Sequence, residues 1–485
     1  MFNYRNFALG RVVRIAPRYL PFADVASDTV PLSRLLRLSL FQVTVGMALV
    51  LLVGTLNRVM IVELKVPASL VSVMLALPLV FAPFRALIGH KSDTYKSALG
   101  IRRLPFIFRG TMLQFGGFAV MPFALLVLSG YADAVDAPKW LGHGSAALAF
   151  LLVGAGLHTV QTVGLALATD LVPQEDHPKV VGLMYVMMLL GMIASALAYG
   201  WLLRDYTPGR LIQVIQGSAV VTIVLNAVAL WKQEARDRAR GMSDIEQPGF
   251  LDAWRTFSAR HGAIGLLAVV GLGTAGFGMA DVLLEPYGGQ ILGMTVGQTT
   301  RLTAVFASGG LIGFTLASIV LNRGFDPLRM AGYGALAGVP AFVAIALASD
   351  LRSVPLFVAA TLLAGFGGGL FSHGTLTATM RSAPREQSGL ALGAWGAVGA
   401  TSAGVALAAG GLIRDLALEL DGGGAVLPYT IVFGLEAALL LATLGLILPL
   451  GKKLFDTAYD NTTSPREMAG PLRSDIACDS PAPGI

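Results

Sequence analysis

The stretch Gly46-Met47-Ala48-Leu49-Val50-Leu51-Leu52 returns 232 residues later as Gly278-Met279-Ala280-Asp281-Val282-Leu283-Leu284, with six of seven positions identical and no gap. A weaker echo joins Pro173-Gln174-Glu175 to Pro384-Arg385-Glu386, each at the exit of a long apolar run. A repeat of this size within an apolar chain predicts two copies of one membrane unit, each of six helices.

Composition supports a membrane protein. Of 485 residues, 55% are hydrophobic and 13% charged, too little charge to cover a soluble surface. The charges are segregated between apolar stretches of about twenty residues or more, each long enough to cross a hydrocarbon core as a helix. The 58 glycines suit helices that pack closely in lipid. A net charge of +6 fits basic loops on one membrane face and does not call for a nucleic-acid partner. The single cysteine, Cys478, excludes internal disulfides and any cysteine-based metal site. The first 37 residues hold no apolar core long enough for a cleavable signal.

Hydropathy predicts an all-α membrane protein with twelve spans, at 38–62, 67–89, 104–129, 144–171, 179–203, 210–231, 262–285, 296–321, 328–349, 354–380, 389–412 and 427–450. The repeat offset lays span one on span seven and span two on span eight. The expected organisation is an N-terminal segment (1–37), a six-helix half (38–231), a linker (232–261), a second half (262–451) and a disordered polar tail (452–485). Lys and Arg favour one set of alternate loops by about four to one, which predicts cytoplasmic termini. In the N-terminal segment Arg11, Arg14 and Arg18 fall at helical spacing around Val12, Val13 and Ile15. They suit either a short helix on the membrane surface or an unstructured topology signal, and Pro17 limits any helix.

Ionisable groups at membrane depth need a partner, water or a task. Four arginines lie within or at the rims of spans, Arg58, Arg85, Arg109 and Arg301, and the acids are Asp170, Asp281, Glu285 and Glu436. Asp281 and Glu285 share a helical face and stand where the first repeat has Leu49 and Val53. They form either a polar site between the halves or an internal ion pair with Arg58 or Arg301. The following Pro286-Tyr287-Gly288-Gly289-Gln290 predicts the end of the helix and an outer-face turn. His158, with Gln161 three residues on, and His373 lie within spans. A neutral imidazole there can ligate a metal, including the magnesium of a chlorin, or hydrogen-bond a neighbouring helix. The glycines Gly367-Gly368-Gly369 read as helix packing. No P-loop, HExxH, GxSxG or Asp-rich prenyltransferase motif is present, so the chain reads as a non-enzyme with no protein-bound metal.

The loop Gly89-His90-Lys91-Ser92-Asp93, with Arg102-Arg103 beyond, resembles the cytoplasmic gate motif of the major facilitator superfamily. In that motif the Gly allows a tight exit, the Asp pairs across the gate, and arginines grip the neighbouring helix end. Thr94 stands where an Arg usually follows the Asp, which puts rocker-type transport in doubt.

Four stretches resemble the PucC/LhaA family of photosynthetic bacteria. They are Leu35-Leu36-Arg37-Leu38-Ser39-Leu40-Phe41-Gln42-Val43, Gly54-Thr55-Leu56-Asn57-Arg58-Val59-Met60-Ile61-Val62-Glu63-Leu64, Phe84-Arg85-Ala86-Leu87-Ile88-Gly89-His90-Lys91-Ser92-Asp93-Thr94, and Asp281-Val282-Leu283-Leu284-Glu285-Pro286-Tyr287-Gly288-Gly289. The resemblance covers residues 20 to 450 and implies a major facilitator fold. It implies assembly of light-harvesting antenna, by delivering bacteriochlorophyll a or by holding antenna alpha and beta polypeptides during pigment insertion. It implies residence in the intracytoplasmic (chromatophore) membrane, contact with membrane lipid, and as further partners the reaction centre–core antenna complex and bacteriochlorophyll synthase. One branch of the family serves the core antenna and another the peripheral antenna. The N-terminal extension favours the core, LhaA-like branch. Some such proteins have been called bacteriochlorophyll synthases, and the missing prenyltransferase motif argues against that activity here. The resemblance makes His158, Gln161 and His373 the candidate pigment contacts. The other reading is a secondary transporter of a small solute, for which more polar side chains should converge at mid-membrane.

Overall fold

The structure is a computed structural model that describes residues 25, 30–80, 88, 91–92, 95, 101–130, 136–173, 176–234, 262–382, 388–420 and 424–463. Among the described residues twelve helices follow one another: α1 (Leu32–Glu63), α2 (Ala68–Val80), α3 (Leu104–Ser129), α4 (Lys139–Asp170), α5 (His177–Leu202), α6 (Pro208–Leu230), α7 (Ala263–Gln290, interrupted), α8 (Val296–Asn322), α9 (Pro327–Asp350), α10 (Val354–Ser382), α11 (Ser388–Leu420) and α12 (Val426–Thr463). Among the described residues, eleven stretches are long and apolar enough to cross a membrane. The twelfth, α2, is described to Val80, and most of its expected continuation lies outside the described residues.

Within the first half α3 packs on α4 and α6, and α1 on α5; within the second α10 packs on α8 and α9, and α7 on α11 and α12. The halves meet along two seams, α2 against α11 and α5 against α8. A shift of six helices carries the first seam into the second, as the internal repeat requires. Lipid tails are as apolar as leucine, so backbone proximity must hold helices together here. Glycine provides it. A Cβ on Gly365 or Gly369 would run into the carbonyl of Phe306 or Gly310 on α8, and one on Gly367 would press on Gly334 of α9. The run Gly367-Gly368-Gly369 thus wedges α10 between α8 and α9.

Three of the boundaries that differ from the sequence reading have a local physical cause. Helix α1 begins at Leu32, six residues before the expected edge at 38, because Pro31 stands at its N-cap and Leu32, Leu35 and Leu38 are buried. Helix α12 continues to Thr463, into the segment expected as a disordered tail from residue 452, since no Gly or Pro follows Gly451 before its end. The break in α7 lies upstream of its predicted place. Ala280–Val282 forms a single 3-10 turn, and Leu284–Gln290 then resumes as α-helix through Pro286-Tyr287-Gly288-Gly289. Pro286 falls in the first turn of this resumed helix, where its missing N–H costs no hydrogen bond. Tyr287 anchors the turn: its ring is fully buried, 5.2–5.4 Å from those of Phe357, Tyr429 and Phe433, and its hydroxyl donates to the Ile345 carbonyl at 2.9 Å. The corresponding part of α1 stays helical, with π-helical turns at Val50–Leu56 and Val59–Glu63.

Candidate functional site

The interruption in α7 leaves backbone groups that a continuous helix would have paired, and one side chain from each half takes them up. Glu436 of α12, fully buried, accepts the Ala280 N–H through Oε1 at 2.6 Å. Asn57 of α1 donates Nδ2 to the Val282 carbonyl at 2.7 Å. Immediately beyond, Glu285 accepts from Thr303 Oγ1 of α8 at 2.7 Å and is 5% exposed. Asp281 is half-buried and borders two cavities in the cleft between the halves, of about 120 Å³ and about 270 Å³.

The smaller cavity is lined by Asp281, Glu285, Leu49 and Val53 together. The two acids therefore face the residues they replace in the first repeat, across the pseudo-symmetry axis. The larger cavity is lined by Tyr185, Met188, Phe306, Phe314 and Trp395, among others. Asp281 is the acid bordering both.

Of the two alternatives for the acids, the ion pair with Arg58 or Arg301 does not form among the described residues. Arg58 is 4% exposed, pairs with Glu63 at the end of its own helix and donates Nη2 to the Met294 carbonyl at 3.3 Å. Glu63 lies five residues on, within reach because α1 is π-helical at Val59–Glu63. Arg301 donates to the Gly200 carbonyl at 3.3 Å, across the α5–α8 seam. The acids thus carry no cation from either arginine.

Direct hydrogen bonds between the halves gather toward the Lys/Arg-poor end. They join Thr55 to Thr300 (3.3 Å), Asn57 to Val282, Arg58 to Met294, Ser69 N–H to Asp415 Oδ2 (2.7 Å) and Arg301 to Gly200. Arg414, buried beside Asp415, donates to Gln290 Oε1 at 3.0 Å, and Tyr429 donates to the same oxygen at 2.6 Å. The cleft is therefore sealed at this end.

At the opposite end, Gly89 and Asp93 of the gate-like motif, and Arg85, lie outside the described residues. Arg103 is buried and donates to Asp170 Oδ2 at the end of α4 (3.0 Å) and to Ser92 Oγ (2.7 Å). Glu234 sets the start of α3: its carboxylate accepts the backbone N–H groups of Arg102 (2.6 Å), Arg103 (3.0 Å) and Leu104 (3.0 Å). This charged cap favours the positive end of the helix dipole. Sequence reasoning missed it, although an acid directly after Lys232-Gln233 in a basic loop was a usable signal. Arg109 is exposed and lies over the Phe106 ring at 5.8 Å.

The candidate pigment contacts lie elsewhere. His158 and Gln161 on α4 are each 8% exposed, and Gln161 donates to Met188 Sδ at 3.5 Å. His373 on α10 is 7% exposed and packs edge-on against Phe314 at 4.3 Å. Neither imidazole lines the cleft cavities. Axial ligation needs a ring nitrogen facing space for a macrocycle, and these two buried rings do not fit that role.

A roomier space opens toward lipid between α5 and α6. It measures about 650 Å³ and is walled by Ala194, Ala198, Val214 and Val221, with Met47 of α1 among its lining residues. Tyr199 and Ser218, also in its lining, share a 2.6 Å hydrogen bond. Trp201, Arg204, Arg210 and Gln213 complete it toward the Lys/Arg-poor end, and Trp201 is 60% exposed. Beside it the exposed Asp205 accepts from Arg210 at 3.2 Å and Arg204 at 3.3 Å, and Arg210 foremost holds its carboxyl below the usual range.

Solved structures similar to the chain place this architecture. A POT-family peptide transporter matches with a TM-score of 0.63 at 13% identity, covering 86% of this chain and 96% of its own. A bacterial homologue of the iron transporter ferroportin in an inward-facing state matches at 0.60 and 15%, covering 85% and 99%. The protein is thus a multi-span membrane protein with the major facilitator superfamily fold. The family model described as PUCC protein matches residues 55–455, and the chain belongs to that family. It is 64% identical over 442 residues to Protein PucC of Cereibacter sphaeroides, covering 90% of this chain and 96% of the relative. Against Protein PucC of Rhodobacter capsulatus it is 63% identical, covering 93% and 99%. A Rhodobacter capsulatus protein named as uncharacterized in the puhA-bchM intergenic region is 49% identical, covering 90% and 93%.

Proposed function

We propose that this chain assembles bacterial light-harvesting antenna, holding bacteriochlorophyll or an inserting antenna helix in the lipid-open groove between α5 and α6. The observation that carries this reading is one of size. The groove offers about 650 Å³, whereas the cleft cavities offer about 270 and 120 Å³, below the roughly 300–1,000 Å³ of ordinary small-molecule sites. A lipid-soluble cargo enters such a groove sideways from the bilayer. Lipid already solvates its apolar parts, so the groove must select through polar groups. Those groups are Gln213, Arg210 and the Tyr199–Ser218 pair. The pigment, when bound, supplies the light-absorbing macrocycle; the chain supplies shape and hydrogen bonds.

Family resemblance to antenna assembly factors and 63–64% identity to proteins named PucC support the assembly role. The N-terminal extension favoured the core antenna. The peripheral antenna is the alternative. Loss of the gene should leave bacteriochlorophyll synthesis intact and reduce antenna complexes, read as separate core and peripheral absorption bands.

The direct test is Gly217→Phe. A Cβ at Gly217 meets nothing within 4 Å, so a larger side chain can leave the backbone there without a clash at its first atom and occupy the groove. Normal protein abundance with reduced antenna is expected, and Gly217→Ala should behave as wild type. Full antenna in Gly217→Phe would remove the groove from the mechanism. A second reading, secondary transport of a solute, is favoured by Asp281 facing a cleft sealed at one end. It would stand if the deletion strain kept both antenna types. We also propose that both termini are cytoplasmic, on the Lys/Arg bias, and reporter fusions in the linker and tail should read cytoplasm.

A further inference from the structure

A second pocket, unrelated to the cleft and the groove, lies where α1 begins and α6 ends, at the Lys/Arg-rich end. It measures about 650 Å³ and is lined by Ser33, Arg34, Arg37, Lys232, Gln233 and Glu234. Three of the six are cationic and one is acidic. That acid is already engaged, capping α3 through the N–H groups of Arg102, Arg103 and Leu104.

The cations are not neutralised locally. Arg34 donates Nε to Gln233 Oε1 at 3.2 Å and Nη2 to the Gln233 carbonyl at 2.8 Å, both neutral acceptors. Arg37 keeps a buried Nε without a hydrogen-bond partner among the described residues. Lys232 sits on a left-handed backbone (φ 54°) in the turn after α6, where a non-glycine residue is uncommon. Among the described residues no carboxylate pairs with Arg34, Arg37 or Lys232. The Ser33 hydroxyl adds a neutral donor.

The pocket lies at the start of α1 and just past the end of α6, two apolar helices long enough to cross a membrane, so it stands at the level where the helices leave the hydrocarbon. A basic pocket between spans at the cytoplasmic interface matches lipid phosphate in charge and depth. A guanidinium also fits the two free oxygens of a phosphodiester bidentately. We propose that this pocket binds the phosphodiester headgroup of an anionic glycerophospholipid from the Lys/Arg-rich leaflet. The lipid would staple the first span to the last span of the N-terminal half and brace the Glu234 cap that starts α3. The site stands apart from the antenna reading and does not depend on it.

The test uses full-length protein purified in neutral detergent and stripped of lipid. Thermal unfolding is followed by tryptophan fluorescence while phosphatidylglycerol, phosphatidylcholine or inorganic phosphate is titrated in. Phosphatidylglycerol should raise the midpoint saturably, and the other two should not at equal concentration. In Arg37→Gln/Lys232→Gln the half-saturating concentration should rise about thirtyfold, and in the milder Lys232→Gln about fivefold. The single variant alters an exposed side chain and keeps the test decisive if the double variant fails to fold. An unchanged phosphatidylglycerol response in Lys232→Gln overturns the proposal. So does an equal response to phosphatidylcholine, which would mark non-specific lipid solvation, or to inorganic phosphate, which would mark a soluble anion as ligand.

Discussion

Replacing Glu436 separates its role as a hydrogen-bond acceptor from its role as a charge. Its Oε1 receives the Ala280 N–H at 2.6 Å, in a position with no solvent access, while Oε2 has no hydrogen-bond partner among the described residues. Glu436→Leu keeps a side chain of similar reach but leaves the Ala280 N–H buried and unsatisfied, which costs about 1–3 kcal/mol. Glu436→Gln keeps a carbonyl oxygen for the N–H and removes only the charge, so it should change stability by less than about 1 kcal/mol. Unfolding of purified protein, read by tryptophan fluorescence, distinguishes them. The Leu variant should melt a few degrees lower, since 1 kcal/mol moves the midpoint by about 2–4 °C in domains of moderate size. The Gln variant should melt near wild type. Asn57→Ala should resemble Glu436→Leu, because it strands the Val282 carbonyl on the other side of the same turn. Equal losses in the Gln and Leu variants would refute the reasoning, for then the charge and not the acceptor would hold the break in α7.

Three further outcomes follow from the packing. Asp281→Asn and Glu285→Gln break no ion pair and should leave abundance unchanged while impairing antenna assembly; normal assembly in both would assign the acids no part in it. Gly369→Val drives a side chain into the Gly310 backbone and should cost more than about 3 kcal/mol, seen as loss of the protein from the membrane fraction. Asp170→Asn should cost about 1 kcal/mol or less, its carboxylate being 39% exposed, whereas Arg103→Leu also loses the bond to Ser92 and should cost more.

The repeat and the hydropathy made the twelve helices and their two halves legible, because a spanning helix must satisfy its own backbone and so must be long and apolar. What stayed hidden were the places where a helix stops being regular. Pro286 and its glycines are strong local breakers, yet the break falls at Ala280–Val282, where the sequence nearly copies the unbroken first repeat. Local propensity could not find it. The turn is held by Glu436 and Asn57, 156 and 225 residues distant from the groups they bind. The same holds for Arg58: its partner is Glu63, five residues on, which a π-helical turn brings within reach.

The functional site divides along the same line. Asp281 and Glu285 were visible as departures from Leu49 and Val53, since a repeat supplies its own comparison. The groove between α5 and α6 was not visible, because half of its lining is Ala, Gly, Val and Ser, residues that any span contains, and the rest reads as an ordinary span rim. What makes the groove is the space between two helices joined by the turn Leu203–Thr207 and held apart over α1. That space is a property of packing. If antenna assembly needs a surface open to lipid, the informative residues are therefore those whose side chains are too small to fill the gap. Enlarging Gly217 alone should then impair assembly even with the acids of the cleft intact; full assembly in that variant would leave the acids of the cleft as the seat of the function and remove the groove from it.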